Sequence, residues 1–197
     1  YVFQNPQLVF AEGAFNFDGA SITAASTDGS APAGETRLDG ATLQVGTLAS
    51  SVDHFNVVSG LLDLNAGSLV VNSGASMTWS GGTISGGGSL QINAAPDLTG
   101  AAGTLNLTGG TKRLGNISLD NSGVINWVGG DLEQIADSTI NNYGEFLIQP
   151  ASYYLTLGNN VTSNPGSSYT TQINNGNTGV MTQASGYSIG LGTGTSY

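Results

Sequence analysis

Acid–base or nucleophilic chemistry in this chain would have to centre on His54, because it is the one histidine and there is no cysteine. A Ser-His-Asp triad needs that imidazole beside a presented serine, and no Gly-x-Ser-x-Gly elbow adjoins it. In Val52-Asp53-His54-Phe55 the histidine reads as a turn or strand-edge residue. One His without Cys leaves only carboxylates to complete a zinc site. Glycoside hydrolysis asks for two carboxyl groups at a set separation, one of them an acid with a raised pKa. Asp131 and Glu133 share one strand face, but Leu132 between them points to the core, so their face is solvent and they read as ordinary exposed charges. A lyase would need a base and cations to neutralise an acidic sugar, and Arg37, Lys112 and Arg113 are the only cationic side chains besides the histidine. Lys112-Arg113 interrupts the apolar spacing described below and reads as a loop.

Calcium takes oxygen ligands from Asp, Asn and backbone carbonyls at turns, which Asp120-Asn121 or Asp137 could offer. Neither the EF-hand loop nor the Gly-Gly-x-Gly-x-Asp nonapeptide is present, so no cofactor is indicated. Ice binding would require Thr ranks at fixed outward positions, a register the threonines do not keep. Trp79 and Trp127 would form a sugar-stacking platform if they faced outward, but their alternation with Met77 and Ile125 places them inward as core. Three Asn-x-Ser/Thr matches, at Asn106, Asn116 and Asn160, are what an Asn/Thr-rich chain yields by chance.

The elements that would position such residues are short strands. From about residue 60, pairs of apolar residues flanking a third recur every seven or eight residues: Leu62/Leu64, Leu69/Val71, Met77/Trp79, Leu90/Ile92, Leu105/Leu107, Ile117/Leu119, Ile125/Trp127, Phe146/Ile148 and Leu155/Leu157, with Leu98 among the single apolar residues between them. Period two marks a strand with one face buried, and helical spacing is sustained nowhere. A shift of 48 residues superposes Leu69 on Ile117, Val71 on Leu119, Met77 on Ile125, Trp79 on Trp127, Ile84 on Leu132, Ile92 on Ile140, Leu98 on Phe146 and Leu107 on Leu155. Gly81-Gly82 falls on Gly129-Gly130, so the two tryptophans and these four glycines are the predicted structural stack. The expected fold is an all-β parallel β-solenoid of about 24 residues per coil over residues 60–157.

Residues 1–59 are less regular, with Asp18-Gly19, Asp28-Gly29 and Asp39-Gly40 as turn signals. They read as capping or extending strands, and the aromatic start, Tyr1-Val2-Phe3 and Leu8-Val9-Phe10 around Pro6, has donation to a neighbouring subunit as its alternative. Residues 158–197 are polar and Gly/Asn/Ser-rich, read as terminal coils or a linker. The chain starts at Tyr1 without a basic-then-apolar leader, as a processed chain or a piece of a larger one would.

Composition narrows the function classes. Thirteen acidic residues against three Lys and Arg give a formal net charge of -10, which disfavours nucleic acid and anionic membrane surfaces as partners. No run of about 18 apolar residues is present to span a membrane as a helix. Thirty-one glycines with only 5 prolines and 39% apolar residues describe a turn-dense but core-forming chain.

The stretch Thr111-Lys112-Arg113-Leu114 through Asn121-Ser122-Gly123, Asn126-Trp127-Val128-Gly129-Gly130 and Asn141-Asn142-Tyr143-Gly144 resembles repeats of large secreted bacterial surface proteins and filamentous adhesins with right-handed β-helical shafts. The resemblance covers about residues 60–157. It implies a right-handed solenoid, a secreted or cell-surface location, a shaft without catalysis, and end-to-end self-association or cell-surface glycans as partners. It supplies no binding residues. The alternative is a carbohydrate-binding or polysaccharide-cleaving β-helix module.

Overall fold

The structure is a computed structural model that describes residues 7–22, 34–97, 100–149, 154–159, 171–183, 188–191 and 195–196. Among these residues there is no helix, and short strands follow one another in repeated circuits. The first circuit holds β1 (Gln7–Phe10), β2 (Ala14–Asn16) and β3 (Ser21–Ile22). The second holds a long β4 (Glu35–Gln44), whose register shifts at Asp39, and β5 (Ala49–Val52). The third is built likewise from β6 (Phe55–Asp63) and β7 (Ser68–Val71). Three separate strands then make each circuit: β8 (Ser76–Trp79), β9 (Gly82–Ser85) and β10 (Ser89–Ile92), followed by β11 (Thr104–Leu107), β12 (Lys112–Gly115) and β13 (Ser118–Asn121). Next come β14 (Val124–Trp127), β15 (Leu132–Gln134) and β16 (Ser138–Asn142), then β17 (Glu145–Ile148), β18 (Tyr154–Asn159) and β19 (Thr171–Asn175). The last circuit is β20 (Val180–Gln183), β21 (Ser188–Leu191) and β22 (Thr195–Ser196).

Each strand pairs in parallel with its equivalents in the circuits before and after. The first ladder runs β1, the start of β4, the start of β6, β8, β11, β14, β17, β20; the second runs β2, the ends of β4 and β6, β9, β12, β15, β18, β21. Because β4 and β6 span both, these ladders form one 14-stranded sheet, and the third ladder is an 8-stranded sheet from β3 to β22. An all-β chain with two long parallel sheets is compatible with a parallel β-helix. The strands of residues 1–59 lie in the same ladders as those that follow.

Alternation explains the core. In β7, β8, β10, β11, β13 and β14 every second residue is buried, and all of these inward residues are apolar except Asn121 in β13. Inward residues stack in columns down the ladders. One holds Leu38, Val57, Trp79, Leu107, Trp127 and Ile148; its neighbour on the same ladder holds Phe55, Met77, Leu105, Ile125 and Phe146. All eleven are buried, each side chain contributing roughly 1.5–3 kcal/mol by leaving water.

Register is where the sequence expectation needs correction. Met77 and Ile125, and Trp79 and Trp127, do share columns, with Leu105 and Leu107 between them. On the third ladder Leu69 stacks with Leu90 and Leu119, and Ile92 with Asn121 and Asn142, so pairing Leu69 with Ile117 and Ile92 with Ile140 is two residues out. On the second ladder Ile84 stacks with Leu114 and Gln134 rather than Leu132, and on the first Leu107 continues to Trp127 and Ile148 rather than Leu155. Steps between rungs are unequal: 28 residues from Met77 to Leu105 but 20 from Leu105 to Ile125. The longer step contains an excursion after β10 that is closed at its base by Gly103 N donating to Asn93 O at 2.8 Å. Leu98, within that excursion, lies outside the described residues.

The corner between the first and second ladders carries a left-handed glycine in each circuit from β6 to β14, at Gly60, Gly82, Gly109 and Gly130. At Gly130 a Cβ would also lie 2.0 Å from Gly109 O, so the rung below demands glycine as much as φ +68 does. Gly82 has φ +80 and would place a Cβ 2.9 Å from Gly60 O. Asp39-Gly40, a hairpin signal by sequence, instead lies inside β4 at its register shift.

Candidate functional site

Beside the start of the first ladder Asp53 and His54 lie in contact, and Glu35 borders the same recess as His54. Register aligns Ser76 with Thr104 in one outward row and Arg37, Asn56, Thr78, Asn106 and Asn126 in the next, and Glu35 and His54 each stand one residue before the paired Thr36 and Phe55. His54 sits at the turn before β6 with φ 49, and its Nδ1 lies 2.8 Å from Asp53 Oδ1. That carboxylate oxygen also accepts Ser76 N at 3.1 Å, and Asn56 Nδ2 donates to Glu35 Oε1. Gly34, Glu35, His54, Phe55, Asn56, Ser76 and Thr78 border a shallow recess of 260 Å³.

This group places a serine, a histidine and an aspartate side by side without making a triad. Acyl transfer needs preorganised backbone donors aimed at a developing oxyanion, and here the strand N–H groups are spent in the parallel ladder. The elbow pattern does occur elsewhere, at Gly186-Tyr187-Ser188-Ile189-Gly190, a match that reading around His54 alone misses. Ser188 opens strand β21, not a strand-to-helix turn, and β21 is five rungs from the His54 circuit, about 24 Å along the ladder.

The remaining sequence candidates disperse. Asp131 precedes β15, while Glu133 Oε2 is held 3.3 Å from Arg113 Nε on the adjacent rung, so the two acids do not face each other as a hydrolytic pair. Asp120 Oδ1 accepts from Ser118 Oγ and Asn141 Nδ2, both at 2.7 Å. Asp137 borders a 420 Å³ recess at the corner between the second and third ladders, with Asn116, Gly87 and Ser138. Among the described residues no three His, Asp or Glu side chains are grouped to hold a metal ion. Trp79 and Trp127 are buried, so neither offers a sugar-stacking surface. Trp127 Nε1 donates to Gly130 O at 3.0 Å, tying the indole to its own corner glycine, whereas Trp79 Nε1 has no partner among the described residues.

Lys112 overturns the loop expectation for Lys112-Arg113. Both residues are in β12, paired with Gly82 and Thr83 below and Leu132 and Glu133 above. Lys112 points inward and is fully buried, its ammonium donating to Thr108 O at 2.8 Å and to Gly110 O and Gly129 O at 2.9 Å. Burial lowers its pKa from 10.5 to about 8, opposed by the negative charge of Asp131. The corner glycine of the rung above leaves room for the ammonium: a Cβ on Gly130 would lie 2.7 Å from Lys112 Nζ. This amine bridges two rungs through three backbone carbonyls, which places it as a structural pin.

The chain matches no protein-family profile, no curated protein and no solved structure. What the site contains must therefore be read from its own geometry.

The most ordered polar constellation is one that apolar spacing did not signal. Down the inner corner of the third ladder the column changes from Val52, Val71 and Ile92 to Asn121, Asn142 and Asn175. Asn121 Nδ2 donates to Asn142 Oδ1, and Asn142 Nδ2 to Asn175 Oδ1, each at 2.7 Å. The free amide hydrogens reach backbone carbonyls at the next turn, Glu145 O at 2.9 Å and Val180 O at 3.2 Å. Outside, Asn174 Nδ2 donates to Asn141 Oδ1 at 2.8 Å and Asn126 Nδ2 to Asn106 Oδ1 at 3.2 Å. Near the other end Asp39 accepts from Ser59 Oγ and Arg37, which hold its carboxyl below 3.8. Polar side chains here mostly bond to the rung above or below.

Proposed function

We propose that the chain is a right-handed parallel β-solenoid segment with a non-catalytic structural or adhesive role, a rigid spacer or shaft at the surface of a bacterial cell. The observation that carries this reading is the direction of the polar chemistry: the Asn121–Asn142–Asn175 ladder and the Lys112 pin cross-link successive rungs. Side chains committed to their neighbours stiffen a rod and leave few groups to converge on a substrate. The acidic surface, net charge -10, keeps such rods apart laterally. A secreted location rests on the resemblance of the repeats. The test is incubation with a panel of acidic and neutral polysaccharides followed by product analysis: no cleavage is expected, and turnover abolished by replacing one carboxylate overturns the reading.

A second reading, glycan binding without cleavage, is favoured by one feature. On the outer face of the third ladder Ser68, Ser89 and Ser118 align in a row of hydroxyls, beside a mixed row of Val70, Gln91, Asp120 and Asn141. Such an array suits a repeating polymer. A glycan array with and without calcium separates it from the purely structural reading, with binding lost on replacing Gln91 and Asn141 as the expected result.

A further inference from the structure

Asn175-Gly176 is the one Asn-Gly step in the chain, and it lies in the inward asparagine column. Asparagine is chemically labile in this setting. The following backbone nitrogen can attack the side-chain amide carbon, and glycine, with no Cβ in the way, hinders that attack least. The structure ties down both reacting groups. Gly176 N, the nucleophile, donates to Asn142 O at 2.7 Å. Asn175 Oδ1 accepts Asn142 Nδ2 at 2.7 Å and Asn175 Nδ2 donates to Gly179 O at 2.8 Å, so the amide is held on both sides of its carbon. Asn175 is exposed, so water and hydroxide reach it, and these bonds rather than burial restrain it. The earlier members of the column are held likewise: Ser122 N donates to Ile92 O and Tyr143 N to Asn121 O, each at 2.7 Å. Asn121 and Asn142 are fully buried and precede residues with side chains, so the labile member of the column is Asn175.

We infer that Asn175 is a deamidation site gated by Asn142, silent while β19 is paired to β16 and reactive once that pairing opens. In the first step Gly176 N gives its proton to solvent base and bonds to Asn175 Cγ. The Cγ–Nδ2 bond breaks and ammonia leaves, giving a cyclic imide. Water then opens the imide at either carbonyl, to aspartate or to isoaspartate, and no oxidant or reductant takes part. The change is one-way and it weakens its own clamp. Aspartate sets a carboxylate oxygen against Gly179 O in place of the donor, and isoaspartate lengthens the backbone by a methylene. Either product disturbs the turn that carries Val180, whose carbonyl accepts the second Asn142 Nδ2 hydrogen at 3.2 Å, so the loss spreads to β20.

The experiment incubates the folded chain, and the same chain unfolded in urea, at one mildly alkaline pH. Deamidation at Asn175 is read by peptide mass spectrometry, and isoaspartate by enzymatic methylation. The folded chain is expected to react at least about tenfold slower, the factor that an opening free energy of about 1.4 kcal/mol confers. Asn142→Ala removes the donor to Asn175 Oδ1 and is expected to raise the folded rate several-fold. Gly74→Ala strains a turn between β7 and β8 at a similar cost in stability and is expected to leave that rate unchanged. Equal rates in the folded and unfolded wild type overturn the inference, and this comparison decides even where a variant folds poorly. Acceleration by both variants alike, or by neither, overturns it as well, because Asn142 would then not be the gate.

Discussion

Lys112→Met replaces a buried ammonium with an apolar chain of similar length and leaves Thr108 O, Gly110 O and Gly129 O without the donor they share. Gly109 and Gly110 are exposed, so water can reach part of this cage, and the loss at pH 7 is expected to be about 2–4 kcal/mol. The pH dependence is the sharper signature. The folded-state pKa of about 8 lies below the unfolded 10.5. Below pH 8 both states are charged and the folded chain bears the whole cost of burying the ammonium. Between pH 8 and 10.5 the unfolded state holds the proton and the folded state releases it, so stability rises with pH. The full shift corresponds to about 3 kcal/mol, and screening at the exposed turn reduces this to on the order of 1–2 kcal/mol. Urea unfolding of wild type and variant at matched pH values from 7 to about 10.5 isolates this contribution, because tyrosines and other lysine-independent groups cancel in the difference. A wild-type advantage that is absent at pH 7, or that stays flat through this window, would refute the buried-pin account of Lys112.

Other consequences follow from the same columns. Trp79→Ala and Trp127→Ala each open a cavity in one inward column and are expected to cost about 3–5 kcal/mol in urea unfolding, Trp127 more because its Nε1 bond to Gly130 O is lost as well. Gly130→Ala forces a Cβ to 2.0 Å from Gly109 O, while Gly74→Ala, at φ +77 with nothing within 4 Å, meets only backbone strain. Thermal unfolding should show a loss of about 3 kcal/mol or more for the first and about 1–2 kcal/mol for the second. Asn142→Ala removes the acceptor of one Asn121 Nδ2 hydrogen in the buried column, while Asn175 Oδ1 can turn to water, and should cost about 1–2 kcal/mol, with faster amide exchange in β13 and β16.

Strands were legible in the sequence because their inward residues are large and apolar at period two. Leu69/Val71, Leu90/Ile92 and Leu105/Leu107 are all buried pairs. Register was not. A fixed repeat absorbs the excursion after β10 only on the first ladder, and a slip of two residues keeps the same side chains facing inward, so hydrophobic pattern cannot detect it. Asn121 and Asn142 fall outside the apolar pattern because an amide is costly to bury until the adjacent rung supplies its partner, and Asn121 and Asn142 are about twenty residues apart. Lys112 was hidden for the same reason: its three acceptors come from turns that meet only after the circuits stack. The Asp53–His54 contact was near in sequence, but the company of Ser76 and Glu35 depends on register and was not.

The parallel register of the stack is tested most directly across the 28-residue step from β8 to β11, and the absence of native cysteine makes a disulfide probe possible. Thr78 and Asn106 face outward as neighbours on adjacent rungs, whereas a uniform 24-residue coil would set Thr78 beside Ala102. Paired strands place such Cα atoms about 4.8 Å apart, within the range a disulfide spans. The doubly substituted Thr78→Cys/Asn106→Cys chain should oxidise quantitatively to an intramolecular disulfide under native conditions, and Thr78→Cys/Ala102→Cys should not. Bond formation in the second pair, or in neither, would contradict the account.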